Sequence, residues 1–428
     1  MIDMFKAPLY LIVVAILLGP VLTAPVYLPT SSAASSAGVP SAQIEPEWPT
    51  DGWSTSAPAE QGMDTELLND MMDRIREHEV RIDSLLIVRN GHLVFEEYPS
   101  ATYDNESRHI IHSCTKSYTS ALVGIALHEG YIESIDSKLV DLLPNRTIAN
   151  LDGRKQAITL EHLLTMTSGL QWDEWTEPYE SHLNSLNQVW AASDSVQHIL
   201  DLPMAYDPGE VWTYNSGGSH LLGAIVAEST GTSLFAYATE KMFTPLGISS
   251  SSIIWPWDSQ GRNWGHGGAE MVPRDMAKFG YLYLNNGTWD GEQIVPSEWV
   301  QQSATTQHRF NDYSGYSYQW WTYPTDTVNV YTAVGFAGQY IFVIPDLDMV
   351  VVFTSSVTPY EPYPQPAILF DYIIPAAINE TPQSIAAANT ITVVTLFILP
   401  LPLLIAVVYF KIRTKKWFWG QTQIQEVQ

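Results

Sequence analysis

Ser113-Cys114-Thr115-Lys116 is the only Ser-x-x-Lys in the chain, and it opens a segment that reads as a helix to about His128, with Gly130 as its stop. Residues three apart share a helix face, so the hydroxyl and the amine can meet. A serine hydroxyl is a weak nucleophile until a neighbouring base takes its proton. Lysine can be that base only where burial or nearby positive charge lowers its pKa enough to leave some neutral amine. The helix start adds a favourable field and a backbone N–H for the oxyanion that such an attack creates. Alternatively, Ser113 simply caps the helix and Lys116 lies in solvent. Cys114 is one helical position from Ser113 and points elsewhere, so it reads as a small packing residue.

The elements that must position this pair follow from hydrophobic pattern and turn chemistry. Leu67, Leu68, Met71, Met72 and Ile75 form one stripe of a helix over 64–78. The runs Leu85-Leu86-Ile87-Val88 and Leu93-Val94-Phe95 flank Asn90-Gly91, a strong two-residue hairpin signal. Residues from about 135 to 310 read as mainly helical. Ser317 to Tyr323 is expected as a strand. Gln339–Ile344 and Met349–Thr354 are expected as a second hairpin closed by Pro345-Asp346-Leu347-Asp348, followed by a helix over 365–378. Strands at both ends with helices between predict an α/β domain: an antiparallel sheet flanked by helices, with an inserted, mainly helical region.

A second feature lies at Pro208-Gly209-Glu210-Val211-Trp212-Thr213-Tyr214-Asn215-Ser216-Gly217-Gly218. Together with the Ser-x-x-Lys it resembles the large serine-hydrolase family of class C β-lactamases, penicillin-binding D,D-peptidases, related esterases and 6-aminohexanoate-dimer hydrolases. Those proteins carry a Tyr-x-Asn element here. The resemblance implies that Tyr214 exchanges protons with the nucleophile and the leaving group. Ser216 stands where the family has Asn, with Asn215 in the middle; both are expected to contact substrate, and Ser216 could also bond Lys116. The family's third element is a Lys/His-Thr/Ser-Gly triplet on a strand lining the site. Its best match is Phe336-Ala337-Gly338, expected to contact substrate, with the backbone N–H of Gln339 joining that of Ser113 as the oxyanion hole. The triplet's cation is missing, and a phenylalanine cannot hold a substrate carboxylate. Leu163–Leu170 and Val272–Gly280 extend the likeness, which spans roughly residues 60–375 and implies a β-lactamase-like fold.

Other chemistries find no support. The chain has no His-Glu-x-x-His, and its single cysteine cannot build a thiolate zinc site, so no metal is expected. Neither Gly-x-Ser-x-Gly nor a phosphate-binding P-loop occurs, and no organic cofactor is expected. With 46 acidic against 20 basic residues the formal charge is −26, which repels phosphate backbones and excludes nucleic acid as a natural partner.

Both ends of the chain carry further signals. Residues 8–23 form an apolar run after Lys6, and 1–27 reads as a signal peptide or N-terminal anchor. Residues 28–46 read as a flexible linker, and 47–378 as the hydrolase domain. Residues 391–410 carry no charge and suffice for a transmembrane helix. Lys411, Arg413, Lys415 and Lys416 follow, which places the tail 411–428 in the cytoplasm and the body outside it. Four Asn-x-Ser/Thr sequons occur, at Asn105, Asn145, Asn286 and Asn379. The expectation is therefore a membrane-anchored, extracytoplasmic serine hydrolase acting on a small-molecule ester or amide or a short peptide through Ser113, Lys116 and Tyr214. Two rivals stand beside it: a D,D-peptidase acting on cell-wall peptides, and a catalytically inactive ectodomain that binds peptides or another surface molecule.

Overall fold

The computed structural model of the protein describes residues 48–325, 327–357 and 363–378. The apolar segments 8–23 and 391–410, the linker 28–46, the tail 411–428 and the sequon at Asn379 lie outside the described residues. Among the described residues no helix is long and apolar enough to cross a membrane.

Asn90 and Gly91 both take left-handed backbone angles, φ 48° and 76°, as a type I′ turn requires. They join strands β1 (Ser84–Arg89) and β2 (His92–Glu97). Six more strands complete the main sheet: β3 (His308–Asn311), β4 (Ser314–Tyr316), β5 (Trp321–Pro324), β6 (Asn329–Gly335), β7 (Gln339–Ile344) and β8 (Met349–Thr354). Their spatial order is β2-β1-β8-β7-β6-β5-β4-β3, with neighbouring strands antiparallel. β1 pairs with β8 from Ser84 opposite Thr354 to Arg89 opposite Met349, so the two ends of the domain share one sheet. The expected sheet is thus present, and it is larger than the sequence suggested.

Side-chain alternation divides the sheet's contacts between two cores. Leu85, Ile87, Phe342, Ile344, Val351 and Phe353 face α1 (Thr65–Glu77) and the helical segment 365–378. Asp64 caps α1, accepting from the Glu66 and Leu67 amides at 2.9 and 3.1 Å. Leu86, Val88, Ile341, Val343, Val350 and Val352 face the opposite, larger core. There lie α2 (Thr115–His128), α3 (Ser216–Thr230) and α4 (Pro273–Leu284). Every residue of α2 from Thr115 to Ala126 is buried, so this helix is enclosed on all sides rather than along one stripe. That burial fixes the reactive pair within rigid structure.

One expected strand is divided. Residues 317–320 form a tight turn between β4 and β5, in which the Ser317 amide donates to the Trp320 carbonyl at 2.8 Å. Gln319 sits at φ 63°, and its side-chain amide donates to the carbonyls of Leu163 and Leu164 at 3.1 and 2.9 Å. These buried bonds turn the chain where continued pairing would have kept it straight.

Candidate active site

His109–Ile110 forms a short ladder with Glu270–Met271 and delivers the chain into one 3₁₀ turn, His112–Cys114, that continues as α2. Ser113 therefore lies on the lead-in turn and Lys116 in the first turn of the α-helix. His112 adopts φ 46°, a conformation that costs a non-glycine residue about 1–3 kcal/mol and clusters at functional sites. Lys116 is 2 % exposed. Its Nζ donates to Ser113 Oγ at 2.8 Å and to the His266 carbonyl at 2.8 Å. Burial lowers its pKa to about 8, against an opposing pull from the Glu174 carboxylate. At neutral pH about a tenth of the amine is then free base.

Tyr214 completes the group. Its phenol approaches the Ser113 side chain, and Lys116 Nζ sits 4.9 Å from the centre of its ring. Burial and the Glu174 charge raise the phenol above its ordinary value, outweighing the opposite effect of Ser113. The two candidate bases are thereby distinguished: the amine titrates within two units of neutrality, while the phenol stays protonated there. Lys116 is suited to accept the serine proton and Tyr214 to carry or donate one.

The two residues after Tyr214 act differently from the sequence expectation. Asn215 is buried, and its side-chain oxygen accepts from the Gly218 amide at 2.9 Å, capping α3. This cap engages the side-chain oxygen of a residue expected to contact substrate. Asn215→Ala is expected to lower stability by about 1 kcal/mol, seen as a lower melting temperature, with KM for a small ester within twofold of the parent. Ser216 turns its hydroxyl to Glu174 Oε1 at 2.7 Å rather than to Lys116, and its amide donates to Glu174 Oε2 at 3.0 Å. Glu174 and the His266 carbonyl escaped sequence reading, because each reaches the site from a loop with no periodic pattern. The one available signal for Glu174 was its position between Trp172 and Trp175, in a stretch dense with aromatics.

The strand-borne triplet also shifts. Phe336, Ala337 and Gly338 form the loop between β6 and β7, while Gln339 opens β7 opposite Gly335. Gly335 is the residue seated against the nucleophile's turn: a Cβ there would lie 2.3 Å from the Ile111 carbonyl oxygen. The triplet on the strand is therefore Ala333-Val334-Gly335, which like Phe336-Ala337-Gly338 holds no cation. The Phe336 ring packs edge-on against His112, with centroids 5.5 Å apart. The Gln339 carbonyl faces the Cys114 thiol at 3.6 Å. Cys114 is fully buried, as a packing residue should be.

Aromatic side chains surround this centre. Trp175 stacks on Tyr214 with centroids 5.2 Å apart, and Tyr179 meets the Phe336 ring edge-on at 5.5 Å. Trp190 donates its indole N–H to His266 Nε2 at 3.2 Å. Trp175 and Trp190 are 39 % and 48 % exposed, so they form the rim, whereas Trp172 is buried beneath it. Two open hollows of about 920 and 600 Å³ lie elsewhere, one beside Arg146 and Glu228, the other beside Asp83 and Tyr103.

Comparison with known proteins bears on family and fold. The family model described as Beta-lactamase matches residues 64–371. A 6-aminohexanoate-dimer hydrolase of Paenarthrobacter ureafaciens is 25 % identical over 305 residues, covering 68 % of this chain and 76 % of that protein. Among solved structures, an octameric penicillin-binding protein homologue from Pyrococcus abyssi superposes with a TM-score of 0.59 at 22 % identity, covering 74 % of this chain and 78 % of that one. A D-stereospecific amidohydrolase from Streptomyces sp. gives a TM-score of 0.54 at 17 % identity, covering 69 % of this chain and 94 % of the other. The solved structures share the fold, and the family match spans nearly the whole folded region from α1 to the last helical segment. This chain belongs to the Beta-lactamase family of serine hydrolases.

Proposed function

We propose that the protein hydrolyses a small, uncharged ester or amide through an acyl-enzyme on Ser113. The observation that carries this reading is the buried Lys116 amine 2.8 Å from Ser113 Oγ, with the Tyr214 ring beside the same amine. Neutral Lys116 takes the serine proton as Oγ attacks the carbonyl carbon. The oxyanion is held by the Ser113 N–H and by a second backbone donor at the end of β6. Gln339 was the expected donor. Phe336 is favoured in its place, because Gly335 seats that part of the chain against the serine's turn while the Ala337 amide already donates to the Tyr363 hydroxyl at 3.1 Å. Tyr214 protonates the leaving alkoxide or amine, with Lys116 resupplying the proton. Water then cleaves the acyl-enzyme as the same groups work in reverse.

The missing cation at Ala333 and Phe336 favours an ester or short amide over β-lactams and D-Ala-D-Ala peptides, whose carboxylates would find no partner. The apolar segments at 8–23 and 391–410 and the basic cluster after them support a membrane-anchored domain outside the cytoplasm. A fluorophosphonate probe tests the hydrolase reading. The full-length protein is expected to gain one adduct by intact mass, and Ser113→Ala none; a folded parent that takes no label would mark a binding protein instead.

A further inference from the structure

Glu174 is 4 % exposed and accepts four hydrogen bonds. Oε2 receives the Trp172 indole N–H at 2.9 Å and the Ser216 amide at 3.0 Å. Oε1 receives the Ser216 hydroxyl at 2.7 Å and the Tyr179 hydroxyl at 3.4 Å. One side chain thus ties the aromatic loop carrying Trp172, Trp175 and Tyr179 to the segment Tyr214–Ser216.

We propose that Glu174 is a positioning and charge-selecting residue: it fixes the Tyr214 segment and disfavours substrates that carry an anionic group near the scissile carbonyl. This deepens the hydrolase reading and rests on it. The charge argument follows from what else surrounds Lys116. His112 and His266 face the amine, and burial holds both neutral, the first near 4 and the second well below 6.5. The Tyr214, Tyr179 and Tyr316 phenols are pushed upward and stay protonated, as does the Cys114 thiol. When Lys116 is in its reactive neutral form, the Glu174 carboxylate is the one formal charge left within this group. In a poorly screened interior such a charge acts over several ångströms. A second anion brought by the substrate meets no compensating cation, since the strand triplet has none.

The test compares three p-nitrophenyl esters of similar length on the full-length protein: pentanoate (neutral), hemiglutarate (anionic) and 4-aminobutanoate (cationic). The parent is expected to cleave the neutral and cationic esters with kcat/KM at least about tenfold above the anionic one. Glu174→Gln is expected to shrink that penalty to within about threefold. Its amide oxygen can face the two N–H donors while its NH₂ faces the two hydroxyls, which can accept, so the clamp geometry is retained. The same variant is expected to move the ascending limb of the pH–kcat/KM profile to lower pH, because the carboxylate that favours protonated Lys116 is gone. Glu174→Asp, retaining the charge, should retain the penalty. A parent that cleaves the hemiglutarate as fast as the pentanoate overturns the assignment, even if the glutamine variant fails to fold. So does an active Glu174→Gln with an unchanged ester ratio. Silence on all three esters, together with no fluorophosphonate adduct, sinks the hydrolase reading and the assignment with it.

Discussion

Lys116→Met is expected to lower kcat/KM on a small nitrophenyl ester by about a thousandfold. Methionine fills the volume of the lysine stem in a buried site but cannot take a proton. Two acceptors, Ser113 Oγ and the His266 carbonyl, lose their donor, each at the cost of an unmade buried bond, about 1–3 kcal/mol. The parent's pH profile carries the same information. In the proposed mechanism the reactive form is the neutral amine, and its pKa is lowered to about 8. The rate should rise with pH and level off above about 8; below that it should fall tenfold per unit, as a single titrating base requires. His112 and His266 are already neutral above pH 6, so no step belongs near 6.5. Stopped-flow or steady-state rates between pH 5.5 and 9.5 decide the matter. An ascending limb centred near 6.5 that survives Lys116→Met would identify a histidine as the base and reject the lysine.

Gly335→Val carries the second large effect. The missing side chain lets the end of β6 lie against the Ile111 carbonyl, two residues before the nucleophile. An added Cβ would stand 2.3 Å from that oxygen and 2.9 Å from the Gln339 Cβ. The obstructing atom is backbone, so the strand must retreat and the gap for the oxyanion widens. Misplacement of one hydrogen-bond donor on this scale costs about a hundredfold in kcat. Overpacking should also lower stability by about 1–3 kcal/mol. Gly153 provides the control, because a Cβ there meets nothing within 4 Å and its backbone is unstrained; Gly153→Ala should leave both quantities unchanged. Active-site titration separates a slower enzyme from a smaller active fraction. A folded Gly335→Val with parental kcat would show that the strand end does not frame the reacting carbonyl.

Features specified by neighbours in the chain were legible without coordinates. Asn90-Gly91 has few alternatives to a left-handed turn, and the stripe from Leu67 to Ile75 can bury only one face of a helix. Ser113 and Lys116 are three residues apart, so helical geometry alone brings hydroxyl and amine together. Tyr214 was found through a family pattern, and its approach to Ser113 needed the fold. Interactions between distant loops left no such trace. Glu174 meets Ser216 across 42 residues, and the His266 carbonyl meets Lys116 across 150. The strand triplet falls three positions earlier than expected because Ala333-Val334-Gly335 and Phe336-Ala337-Gly338 are both apolar and both end in glycine; the end of the strand and packing against Ile111 separate them. The sequence by itself determined the local elements and the pairing of the Ser113 hydroxyl with the Lys116 amine, since those depend on contacts a few residues apart. The tertiary structure alone decided the burial of the two candidate bases and the charge around them, because desolvation and buried charge depend on every chain segment that closes over the site.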